Sequence, residues 1–329
     1  MAEDAAIGVI ERAWEAFHRQ DFEAARGLWA GVRALLPDHV VGYLGDALTR
    51  RQAGQFDAAE ALLLDAASRF PDEHGPVSEY AWMAIHRRDW RAAIDRFAAA
   101  RGRFPDVAFI HVGEIQALRE IGRMADAEAT ASRARARFPD SPIGWEGEAQ
   151  ALRNQFEFAA AEAVLVDAIE RFPAEPQFML DHARLPLVTP HEQDKNWPDA
   201  LERLERLLHT HPSFESGITA GIRMLVDAGQ SDRAEQLGQS ACAQFPNIVA
   251  LAFLHAETAV ARGDIGEATT RYHHIGQRFP GLPDGAVGLG QMLARENKFA
   301  EAEATLLETI AAHPRSVSAA AAYAELATQ

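Results

Sequence analysis

Sulfur, membrane-spanning segments and strand patterning all have little place in this chain of 329 residues. Cysteine occurs once, at Cys242. An internal disulfide is therefore impossible, and paired-cysteine metal motifs are excluded. No apolar run is long enough to cross a bilayer. The opening stretch MAEDAAIGVIERAWEAF has no basic leader and no continuous apolar segment. No secretory signal is read there, and a soluble cytoplasmic protein is expected. Basic residues are in deficit: 32 Lys and Arg stand against 48 Asp and Glu, a formal charge of −16. Such a field disfavours nucleic acid and anionic membrane surfaces, so partners of neither kind are expected. Phosphate-binding glycine loops, nucleophile elbows and zinc-protease helices are missing. Cys242 follows GQSA inside a predicted helix and reads as a buried, inert thiol. No catalytic residue, no cofactor and no enzyme activity are expected.

What the chain does have is a period. Pro37, Pro71, Pro105, Pro139 and Pro173 are each 34 residues apart, and Pro212, Pro246, Pro280 and Pro314 resume that step after a gap of 39. A fixed step of this length marks an array of helical hairpins. Twelve residues before each proline stands an alanine: Ala25, Ala59, Ala93, Ala127, Ala161, Ala200, Ala234, Ala268 and Ala302. A small side chain lets two helices approach closely. Fifteen before it a large apolar residue usually opens the second helix, as Phe22, Trp90 or Trp197 does. Gly54, Gly122, Gly229 and Gly263 supply turn signals between the helices. The recurring RFPD at 69–72, 103–106 and 137–140 is then punctuation. The Phe ends the second helix and proline forbids its continuation. The Asp is expected to help cap the next helix.

With these features the chain resembles the tetratricopeptide repeat (TPR) proteins of bacterial type. The best unit is GWEGEAQALRNQFEFAAAEAVLVDAIERFP, residues 144–173, where Trp145, Ala149, Ala161, Ala168 and Pro173 stand at the signature places. The resemblance implies an all-α fold: an α-solenoid, a right-handed superhelix of nine antiparallel helix pairs over residues 3–314. A capping helix over 315–329 would close a single continuous solenoid. It also implies that first helices line a concave groove and that the chain is a non-catalytic protein–protein interaction scaffold. The carboxylate clamp of some family members, which grips a Glu-Glu-Val-Asp tail, is excluded. It needs lysines and asparagines at set places, and the few lysines here with Asn154, Asn196, Asn247 and Asn297 do not form that set.

The sixth unit carries a five-residue insertion around 185–197, where Pro186 and Pro190 are expected to stop the first helix and project a loop. Histidines gather nearby: His182, His191, His209 and His211. Their spacing does not bring three or four ligands to one point, so no metal is expected.

First-helix residues twenty and twenty-three before each proline should face the groove. With their neighbours they give Arg51, Trp82, His86, Gln116, Arg119, Gln150, Arg153, Asn154, Arg184, Arg223 and Phe253 as its lining. Arginine is suited to bidentate capture of carboxylates and phosphates. An extended acidic or polar peptide is the expected ligand, with Trp82 and Phe253 as apolar anchors. The alternative is a substrate-recruiting component of a bacterial glycosyltransferase or surface-polysaccharide system, which the wording of the repeats resembles in style. The alanine-rich segment Ala319–Ala322 has little polar surface, which leaves room for a homodimer through a solenoid end.

Overall fold

Apolar residues recurring at helical spacing, broken every dozen or so positions by turn residues, fold as short helices that bury one stripe each. The computed structural model describes residues 2–189 and 191–328. Met1, Pro190 and Gln329 lie outside the described residues, and with them part of the expected loop and the end of the expected capping helix. Among the described residues there are 19 α-helices and no strand. They fall into two compact bodies, Met1–Phe172 and Pro173–Gln329.

The N-terminal body holds α1 (Ala2–His18), α2 (Phe22–Leu35), α3 (Val41–Gln52), α4 (Phe56–Arg69), α5 (His74–His86), α6 (Trp90–Arg103), α7 (Phe109–Glu120), α8 (Met124–Arg137), α9 (Pro142–Asn154) and α10 (Phe158–Arg171). Each helix packs on the next, and α3, α5, α7 and α9 also touch one another in sequence. The even-numbered helices make no comparable contacts, so the odd-numbered row is the tighter, inner face of this body.

The C-terminal body holds α11 (Pro176–Arg184), α12 (Trp197–Thr210), α13 (Glu215–Asp227), α14 (Ser231–Gln244), α15 (Val249–Ala261), α16 (Ile265–Arg278), α17 (Asp284–Arg295), α18 (Phe299–Ala312) and α19 (Val317–Leu326). The same inner-row contacts join α13 to α15 and α17 to α19. Between α11 and α12 one 3-10 turn forms at Glu192–Asp194, and another, directly after α11, at Leu185–Leu187. It buries Leu185, and Leu187 packs on the core around Leu204. The Asn196 N–H returns to the Pro186 carbonyl at 3.0 Å, so the two ends of the inserted segment are tied together.

The repeated residues have separable jobs. All nine alanines twelve before the prolines are 0% exposed. Asp21, Asp89, Asn196 and Asp264 cap second helices, each accepting from the backbone N–H three residues on. Phe70, Phe138 and Phe172 end second helices and pack edge-on against Tyr43, His111 and Trp145 of the preceding first helix. The aspartates of RFPD do not cap. Arg137 donates to the Pro105 carbonyl and to Asp106, both at 2.7 Å. Arg171 does the same to Pro139 and Asp140 at 2.7 and 2.8 Å. The motif is thus a ladder in which the arginine of one hairpin grips the proline–aspartate turn of the hairpin before it.

The turn between paired helices falls seventeen residues before the proline and needs a left-handed residue. Gly54, Gly122, Gly229 and Gly263 provide it with φ of 73–78°. Gln20, Arg88, Phe156 and Asn297 adopt it without being glycine. A side chain there is strained, because its Cβ crowds the following carbonyl. Arg88 is exposed. Arg88→Gly is therefore expected to raise the stability of the N-terminal body by about 0.5–1 kcal/mol, read as a higher urea midpoint at unchanged slope.

Candidate peptide groove

The inner row of the N-terminal body places several of the expected groove residues together. A cavity of about 240 Å³ lies between α7 and α9, lined by Val112, Ile115, Gln116, Arg119, Ile143, Glu146, Gly147 and Gln150. Arg119 donates to Gln150 Oε1, and Gln150 Nε2 donates to Glu146 Oε1 at 3.0 Å. Arg119 Nε is buried with no acceptor among the described residues. Burial lowers the pKa of Arg119, and the nearby positive charge of Arg153 lowers it further. Glu120 and Glu146 oppose that shift. Arg153 is half-buried and has no ion pair or hydrogen bond among the described residues. Two guanidinium groups thus stand close enough to repel, and one of them lacks a counter-charge.

Towards α5 the groove becomes aromatic. Trp82 lies 5.6 Å from Phe109, with the ring planes 32° apart, and rests edge-on against buried Phe97 at 5.4 Å. Phe109 is 47% exposed, so this shelf is open to a ligand. Further along, Arg51 Nη1 meets His86 Nε2 at 2.8 Å and Glu79 at 3.6 Å. Burial pushes the Arg51 guanidinium down and the Glu79 carboxyl up, each offset in part by the other's charge. Burial, then Arg51, lowers the pKa of His86, which leaves a neutral ring whose Nε2 can accept.

Arg51 and Arg119 are therefore less available than the arginine row implies, whereas Arg153 is free. Asn154 follows it at the end of α9 and is partly buried. Arg184, Arg223 and Phe253 belong to the C-terminal body. The two arginines are exposed there, and Phe253 packs at 6.3 Å from Tyr272. Glu79, Phe109, Val112, Ile143 and Glu146 were missed. They lie one to two turns earlier on the same helices, 26 to 30 residues before the prolines, where only Phe253 was read.

Residues 81–142, which carry α6–α8 and the C-terminal part of α5, match the sequence profile described as tetratricopeptide repeat. Those residues belong to the tetratricopeptide repeat family. Comparison with curated proteins finds no match. Among solved structures, a tetratricopeptide repeat protein from Parabacteroides merdae is similar at 12% identity over 78% of this chain and 99% of that one, with a TM-score of 0.47. The C-terminal part of a TPR repeat-containing protein from Cytophaga hutchinsonii is similar at 14% identity over 85% and 99%, with a TM-score of 0.48. Pseudomonas aeruginosa pilF is similar at 14% identity over 64% and 94%, with a TM-score of 0.46. TPR arrays serve in general as protein-interaction scaffolds. Among the described residues no helix is long and apolar enough to cross a membrane, and no group of three His, Cys, Asp or Glu side chains could hold a metal ion.

Proposed function

We propose that this TPR protein is a non-catalytic scaffold that binds an extended acidic peptide on the inner face of its N-terminal body. The observation that carries the reading is the Arg119–Arg153 pair, two adjacent guanidinium groups of which one is without a counter-ion. A ligand carboxylate between them would remove their repulsion and accept charge-assisted hydrogen bonds, which are about twice as strong as neutral ones. The exposed Trp82–Phe109 shelf supports an apolar or aromatic side chain elsewhere along the same peptide. The amide of Gln116 and the Gln150–Glu146 pair suit the polar backbone of an extended ligand.

The test is a fluorescence titration of labelled peptides in which each acidic residue is replaced in turn by its amide. Acidic peptides carrying one aromatic residue are expected to bind. Arg153→Gln should weaken them by about tenfold, roughly the value of one charge-assisted hydrogen bond. The helical circular-dichroism signal should not change, because Arg153 has no structural partner to lose. Undiminished binding by Arg119→Glu/Arg153→Glu would end this reading.

A further inference from the structure

The N-terminal body has a second concavity, on the side of the even-numbered helices, away from the groove. A notch of about 540 Å³ between α6 and α8 is lined by Arg101, Gly102, Pro105, His111, Arg133 and Arg137. His111 comes from α7, is 4% exposed and leans on the Phe138 ring at 5.7 Å. Its Nδ1 is buried without a hydrogen-bond partner among the described residues.

Three guanidinium groups meet there. Arg101 donates from Nε and Nη2 to the two oxygens of Glu114, at 3.0 and 3.3 Å. Arg137 donates from Nε to Pro105 and from Nη2 to Asp106. Arg133 spends Nη2 on the neutral Thr130 Oγ1 at 2.9 Å and has no carboxylate partner among the described residues. Three positive charges thus face two negative ones, on a chain whose formal charge is −16. Each guanidinium keeps its Nη1 donors, and Arg133 keeps its Nε–H as well.

We propose that this notch is an oxyanion site that takes a phosphate group. The donors belong to three separate arginines, one on α6 and two on α8. Three separate cationic side chains can each serve a different oxygen of a tetrahedral group, whereas a carboxylate offers only two. The groups that face His111 are Arg101 from α6, Glu114 from its own helix, and Arg133 and Arg137 from α8. Burial and the three arginines hold its pKa down against the opposing pull of Glu114, so the ring is neutral while the notch is empty. A bound dianion would offset the arginines and let the ring take up a proton.

The experiment uses the full chain and follows the His111 ring resonances by NMR while inorganic phosphate is added at constant ionic strength. Saturable movement is expected, with a His111 pKa that rises on saturation. Arg133→Gln should lower phosphate affinity about tenfold, whereas Arg91→Gln, exposed on the same body but outside the notch, should leave it unchanged. A phosphoserine peptide that binds more tightly than inorganic phosphate would assign the group to a modified protein. Equal affinity would assign it to the free ion. A drift without saturation, or equal losses in both variants, overturns the site.

Discussion

Phe97→Ala is expected to cost the N-terminal body about 3–5 kcal/mol, the range for truncating a fully buried aromatic side chain. Phe97 is 0% exposed and sits where α5, α6 and α7 meet. Its ring fills the place of a side chain on α7: a Cβ added to Gly113 would lie 2.0 Å from Phe97 Cζ. The two positions therefore share one volume, which gives the prediction a second arm. Gly113→Ala alone should destabilise, because the ring cannot yield that far in a packed interior. In the Phe97→Ala background the same change should help, by about 1 kcal/mol, since the clash is gone and alanine favours the helix over glycine. Five of the six tryptophans (Trp14, Trp29, Trp82, Trp90 and Trp145) lie in this body, so tryptophan fluorescence in urea reports it. A Gly113→Ala effect of the same sign in both backgrounds would refute the shared-volume account. The truncation also removes the floor under Trp82. A proportionate loss of peptide affinity is expected, even though no proposed ligand contact is touched.

How much of this was legible beforehand depends on which contacts a period can encode. The alanines, the glycine turns and the helix-ending phenylalanines each act within one hairpin. A step of 34 therefore exposes them. The left-handed turn residue was seen only where it is glycine. Its register also marks Arg88 and Phe156, whose identities give no hint of positive φ. Contacts between hairpins were harder. The aspartates of RFPD look like caps from within their own turn, and only the neighbouring arginine, 31 residues on, shows what holds them. The groove arginines follow the same rule. Arg51 and Arg153 are equivalent in the repeat, yet His86 and Glu79 occupy the first and nothing occupies the second. Periodicity gives the face a residue points to. It does not give what the adjacent helix, offset by its own stagger, sets opposite.

One such signal could have been found. An acid thirteen residues after an arginine recurs as Arg33–Asp46, Arg101–Glu114 and Arg135–Glu148, each joining a second helix to the next first helix at 2.8–3.1 Å. Where the pattern lapses, at Ala67 and Tyr80, Arg96 packs over the Tyr80 ring at 3.9 Å and donates to Glu60. The C-terminal body uses that second arrangement in Arg271 and Glu235. There the hydrogen bond from Arg271, with those from Thr258 and His255, holds the carboxyl at a pKa of about 2 against the effect of burial.

Asp46 is the most enclosed of these acids, at 0% exposure, and accepts from Arg33 at 2.8 Å and from Arg50 at 2.9 and 3.2 Å. Asp46→Ala is expected to cost about 2–4 kcal/mol. That is somewhat below the usual range for breaking a buried pair, because the stranded guanidinium groups are about a fifth exposed and can regain some water. Glu148→Ala, with one arginine partner at 3.1 Å, should cost less. The cost arises from the partners left behind and does not measure the net value of the pair. Arg101→Met/Glu114→Met, which removes both charges at the equivalent junction, should therefore be close to neutral. Equilibrium urea unfolding of the three variants decides the matter. If the double replacement loses as much as Asp46→Ala, the junction acids contribute stability directly. If it loses little, their role is to fix which faces of neighbouring hairpins may meet, and the alanine and aromatic core supplies the free energy that holds them together.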